Sequence, residues 1–190
     1  MSSWIETYTG VKFDPDNPSA GDVNIYDIAQ GLALTCRYNG QISRHLSVAE
    51  HSVHMSNVSK YPFRALMHDA HEAYLGDIPY PFKGLIPGFD EFELRLQRHV
   101  LNACGIQLPL PDEIHELDRR IVLDEAMALK ATDGREWGIE GEPLGINVEG
   151  WSWREARYMF LMRFATLTGT DVNLHDNGLA RTWDNAPLHA

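Results

Sequence analysis

The chain has 190 residues, enough for one domain built around one real hydrophobic core. Hydrophobic residues make up 44% and the formal net charge is −11, which argues against a protein that coats nucleic acid by neutralising its phosphates. A small phosphorylated substrate stays open, because a bound cation can reverse the field locally.

No apolar run approaches the roughly 18 residues needed to span a bilayer. The opening MSSWIETYTG has neither the basic nor the apolar region of a secretory signal. No membrane association and a cytoplasmic location are therefore expected. Cys36 and Cys104 lie far apart and match no metal spacing, so they are expected to be buried small side chains rather than a disulfide.

In chain order, residues 1–22 read as irregular or hairpin-like, with a turn at Thr9-Gly10 and a turn-rich stretch DPDNPSAGD. Ile25, Ile28, Ala29 and Leu32 predict a helix over about Ile25 to Thr35. The loop CRYNGQISRHL follows. Ser47 and Glu50 have capping-box spacing and start a second helix that runs to about Val58. A third helix is predicted over about Pro62 to Leu75, stopped by Gly76. GDIPYPFKGLIPG, dense in Pro and Gly, reads as a loop. Helices are then expected over about Phe89 to Cys104, from near Pro111 to about Thr132, and over about Ser152 to Thr168. The segment DGREWGIEGEPLGINVEG between the last two has little periodicity and reads as a loop. The expectation is a single all-α helical bundle over residues 1–169 with a polar tail over 170–190.

Nine histidines are present, and one of them stands out. His68-Asp69 sits between Ala65-Leu66-Met67 and Ala73-Tyr74, and charged groups in so apolar a setting need a partner such as a metal ion. Glu72 follows His68 by four residues and Asp69 by three, on the same helical face. A carboxylate there can orient a water or take its proton. Asp77 lies at the helix exit. A divalent ion needs about four to six ligands, so others must come from elsewhere. His51 and His54 are the candidates on the second helix, with His51 favoured near the loop mouth. Asp118 and Asp124 compete on the fifth. Asp118 borders the apolar face of Ile114, Leu117, Ile121 and Val122.

The order His51, His68-Asp69, Asp118 is similar to the HD-domain phosphohydrolase superfamily. AEHS at 49–52, HDAHEAYLGDIPYPFK at 68–83 and ELDRRIVLDE at 116–125 resemble its bacterial and phage nucleotide phosphohydrolases, and NIYDIAQGLALTCRYNG at 24–40 extends the likeness. The resemblance implies cleavage between the 5′ oxygen and the α-phosphorus of a deoxynucleotide. It could be a monophosphate, as in 5′-nucleotidases, or a triphosphate, as in phage dATP triphosphohydrolases. It implies one divalent transition metal (Co, Mn, Fe, Zn or Ni), with Mg as a possible addition, ligated by His51, His68, Asp69 and Asp118. By the same resemblance, Glu72 would position the attacking water and Arg37 would contact the α-phosphate. Asp77 would bind the sugar hydroxyl, and Lys83 would be a further phosphate contact. Tyr38, Ile78 and Pro79 would wall the sugar or base. A homo-oligomer, dimer or hexamer, is implied, and the host cytoplasm if the gene is phage-borne. The leaving-group acid stays open among His45, His54 and His71. The rival reading is a non-catalytic HD module that senses a nucleotide.

Overall fold

The computed structural model describes residues 3–172; the tail expected over 170–190 falls almost wholly outside them. The chain opens with a short antiparallel pair, β1 (Ile5–Glu6) and β2 (Lys12–Phe13), with Ile5 opposite Phe13. Its turn is tied to the first helix: Thr9 donates through its backbone N–H (2.7 Å) and its hydroxyl (2.8 Å) to the buried carboxylate of Asp27. Phe13, fully buried, stacks on Tyr74 with centroids 4.1 Å apart.

Helix α1 (Ile25–Leu34) is capped by Asn24, whose side chain accepts from the Tyr26 N–H. It buries Ile28, Ala29, Leu32 and Ala33, the face its spacing predicts. Helix α2 (Val48–Val58) starts at Ser47, whose hydroxyl accepts from the Glu50 N–H at 3.1 Å. Only half of the expected capping box forms. The Glu50 carboxylate instead accepts the backbone N–H groups of Glu149 (3.1 Å), Gly150 (2.8 Å) and Trp151 (2.6 Å).

The third helix is not continuous. It divides into α3 (Pro62–Met67) and α4 (Glu72–Leu75), with the turn His68–His71 between them. Across this turn the backbone bonds shorten to i→i−3, as in Ala70 to Met67, Glu72 to Asp69, and Tyr74 to His71. Gly76 ends α4 with φ 89°, a conformation that favours glycine. Close packing of α4 on α1 requires another glycine: a Cβ at Gly31 would lie 2.6 Å from the Ala73 carbonyl oxygen.

The Pro-rich stretch is not all loop, because α5 (Tyr80–Lys83) forms within it, with Pro81 in its first turn. Helix α6 (Phe89–Ala103) follows, then α7 (Asp112–Leu129), with Pro111 at its cap rather than inside it. Helix α8 (Trp153–Thr168) is capped by Ser152. The core joins α1, α2, α3, α6, α7 and α8 through Ile28, Met55, Leu66, Leu101, Ile121 and Phe160. On α8, Phe160 is buried, whereas Tyr158, Met159 and Met162 are exposed. Cys36 and Cys104 are free thiols, half-buried rather than buried. No helix among the described residues is long and apolar enough to cross a membrane.

The stretch 139–151 has no regular structure because side chains hold it in place. Arg119 and Arg120 donate to the carbonyls of Glu140 and Glu142. Asp124 accepts from the N–H groups of Leu144 (2.7 Å) and Ile146 (2.8 Å), and Arg44 donates to the carbonyls of Val148 and Glu149. Fully buried Glu50 closes the set. Replacing Glu50 by Ala strands three backbone donors, and a destabilisation of about 3 kcal/mol or more is expected in chemical denaturation. Glu50→Gln, which keeps one accepting oxygen, should fall between that variant and the parent.

Candidate metal centre

Four side chains from three parts of the chain meet where α2, α7 and the turn after α3 converge. His51 Nε2 lies 3.2 Å from Asp118 Oδ1 and 3.9 Å from Asp69 Oδ2. His68 Nε2 lies 2.9 Å from Asp69 Oδ2 and 3.9 Å from Asp118 Oδ1. Ligand atoms about 2.1 Å from one ion sit roughly 3.0–3.4 Å apart in octahedral or tetrahedral arrangements, so these spacings suit a shared cation. The expected set of His51, His68, Asp69 and Asp118 is thus brought together.

The tautomers strengthen the fit. His68 Nδ1 is 2.8 Å from the Ala65 carbonyl oxygen, which can only accept, so Nδ1 carries the proton. His51 Nδ1 is 2.7 Å from Glu125 Oε1, which fixes the same tautomer there. In the neutral imidazoles each Nε2 then presents a lone pair, and both atoms are buried without a hydrogen-bond partner. Two nitrogen lone pairs and two carboxylates facing one another repel unless a cation sits among them. This is how histidine ligands are commonly oriented, with the far nitrogen held by a carboxylate or carbonyl. In the metal-free chain protons take up part of that role. Burial works against a charged His68, but Asp69 and Asp118 overcome it and raise its pKa well above the ordinary value. Burial also opposes ionisation of Asp69, yet His68 holds that carboxyl down at about 2.

Glu125 was missed by the sequence reading, though it lies two helical turns after Asp118 on the same face of α7. Besides His51, it accepts from Arg37 Nε (3.1 Å) and from the Tyr38 hydroxyl. Burial disfavours its charge, and Arg37 and His51 keep its pKa below the ordinary value even so. Asp124, the rival of Asp118, faces the 144–146 backbone instead. His54 packs at a tilt against Trp151 beside Glu50, and His45 Nδ1 contacts the Trp151 carbonyl, so neither joins the centre.

Tyr38 does not simply wall a pocket. Its hydroxyl serves Glu125, and Lys130 Nζ lies 4.5 Å from its ring centroid. Glu72 and Asp69 line a cleft of about 200 Å³ with His71, Lys83, Asp90, Glu93, Leu94 and Gln97. Lys83 is already paired there, 2.8 Å from Glu93 Oε1. Asp77, Ile78 and Pro79 lie half-buried in the link between α4 and α5. Burial, reinforced by Asp69 and Asp77, pushes the Glu72 pKa well above the usual carboxylate range, and Glu72 Oε2 has no hydrogen-bond partner.

The sequence is 34% identical to the uncharacterized protein YfdR of Escherichia coli K12 over 171 residues, which cover 87% of this chain and 96% of YfdR. The chain belongs to the YfdR family. An uncharacterized protein of Rhodobacter capsulatus is 32% identical over 170 residues, covering 83% of this chain and 79% of that protein. No family model matches the chain.

Two outcomes are expected for this YfdR-family centre. Glu125→Gln removes the charge that orients His51, and Mn²⁺ or Co²⁺ affinity should fall about 10–100-fold in calorimetric titration. Glu72→Gln should raise the melting temperature of the chelator-treated protein. A carboxyl with a raised folded-state pKa keeps its proton longer in the folded chain, so stability is lost as pH rises from the ordinary value toward the raised one. The gain over the parent should therefore grow with rising pH and vanish as pH falls toward 4.5, the ordinary value.

Proposed function

We propose that the chain is a divalent-metal-dependent phosphohydrolase of HD type. In this reading it cleaves a deoxynucleotide between the 5′ oxygen and the α-phosphorus, releasing a deoxynucleoside with phosphate or triphosphate. The observation that carries this reading is the pair of buried Nε2 lone pairs on His51 and His68 facing Asp69 and Asp118. Such mixed N/O ligation suits Mn²⁺, Co²⁺, Fe²⁺, Zn²⁺ or Ni²⁺ better than Ca²⁺. When bound, the ion would supply a Lewis acid for a phosphate oxygen and a water of lowered pKa.

The other roles fall to groups around that centre. Glu72, with a raised pKa and an unpartnered oxygen in the cleft, is suited to orient a water and accept its proton. Arg37 is held through Nε by Glu125, which leaves its terminal nitrogens for the α-phosphate. Lys83, on the cleft wall, would meet a phosphate oxygen by giving up Glu93. Asp77 would accept from the sugar hydroxyl, with Ile78, Pro79 and the ring of Tyr38 nearby as walls.

The test is a panel of deoxynucleoside mono- and triphosphates with Mn²⁺ or Co²⁺. Wild type should release deoxynucleoside, and His68→Ala and Asp69→Ala should fall to the level of a chelated control. Inorganic phosphate as product assigns a nucleotidase, tripolyphosphate a triphosphohydrolase. Equal turnover in all three proteins would sink the assignment.

A further inference from the structure

A second set of metal-competent groups lies in the cleft; none of them is a ligand of the four-ligand centre, although Glu72 is also the carboxylate given above to the water. His71 and Glu93 face each other with Nε2 3.7 Å from Oε1. That is too long for a hydrogen bond but close to the spacing of two ligands about 2.1 Å from a shared ion. Ligand atoms of His71, Glu72 and Glu93 all lie within 4.8 Å of one another. Two of the three residues are deeply buried, His71 at 3% and Glu72 at 6% exposure. Glu72 carries an orphaned oxygen, Oε2, while on His71 the nitrogen that faces Glu93 is Nε2, and both residues line the cleft. A buried carboxyl oxygen with no hydrogen-bond partner costs free energy until a donor or a cation meets it.

The charge balance points the same way. Asp69, Glu72, Asp90 and Glu93 line the cleft against one ammonium, that of Lys83. Lys83 reaches only Glu93, at 2.8 Å, and no hydrogen bond satisfies Glu72 Oε2. We propose that His71, Glu72 and Glu93 form a second divalent-cation site, from whose Glu93 arm Lys83 is displaced when the ion binds. One nitrogen and two carboxylates suit Mn²⁺ or Fe²⁺, with waters filling the remaining positions. Asp69 lines this cleft and also reaches His68, so the two sites share a wall. A cation here would neutralise the acidic cleft and offer open coordination positions to an oxyanion such as a phosphate oxygen.

The test is Mn²⁺ titration of the chelator-treated full chain, read by calorimetry and by metal analysis after gel filtration. Two equivalents per chain are expected. Glu93→Gln should lose one equivalent and retain the other, and His71→Ala should do the same. Asp118→Ala should lose only the equivalent bound by the His51–His68 centre. Lys83→Met should tighten the second equivalent several-fold by removing its competitor, a gain that a merely structural Lys83–Glu93 pair would not produce. Two equivalents surviving in folded Glu93→Gln, or a single equivalent that disappears in Asp118→Ala, would overturn the proposal. A single equivalent that survives in Asp118→Ala but not in Glu93→Gln would support this site while removing the basis of the HD-type reading.

Discussion

The buried carboxylate of Glu125 decides which nitrogen of His51 faces Asp69 and Asp118. Imidazole has two nitrogens, and an ion needs a specific one with its lone pair free. A carboxylate that accepts from Nδ1 settles the choice before any ion arrives. Burying a charge this deeply is costly unless it is paired. Glu125 is 1% exposed and has three partners, His51, Arg37 and Tyr38. The same contacts hold the guanidinium of Arg37 beside the centre. Tyr38 and its neighbour Asn39 adopt left-handed backbone conformations, φ 58° and 51°, which non-glycine residues adopt at some energetic cost. The orientation of His51 and the placement of Arg37 thus meet at one side chain.

His68 is oriented by different means toward the same end. The turn after α3 leaves the Ala65 carbonyl free to accept from the imidazole, so the helix interruption itself supplies the second tautomer lock. An uninterrupted α-helix over this stretch would take that carbonyl for the N–H of residue 69. The change to i→i−3 bonding therefore sets the direction of His68 as well as the path of the chain.

Much of this was legible in the sequence where helical periodicity speaks. The spacing of α1, α2, α6, α7 and α8, the Ser47 cap and the stop at Gly76 come from local rules, and local interactions decide them. Geometry brings together the four residues taken as metal ligands. Side-chain partnerships across long sequence separations were not legible. Glu50 looked like half of a capping box, but three N–H groups a hundred residues away compete better for its oxygens. Glu125 and Asp124 are adjacent acids on α7. One turns inward to His51 and the other outward to a backbone segment, and no local pattern separates them. The break at His68–His71 was hidden because no Pro or Gly marks it. Helix α5 was hidden because its prolines read as turn formers, although the first helical turn tolerates them.

Helix α2 carries its two decisive acceptor groups side by side. Glu50 grips residues 149–151, and His51 faces the centre. That adjacency limits where chain length can vary during divergence. An insertion between Leu144 and Trp151 would shift amides out of register with both Asp124 and Glu50, and through Glu50 would press on the helix that aims His51. The stretch from Thr132 to Trp137 sits upstream of those anchors and is mostly exposed, with Gly134, packed close to Ala126, and Gly138 in left-handed conformations at its turns. Relatives should therefore gain and lose residues there, while the path from Leu144 to Trp151 keeps a fixed length.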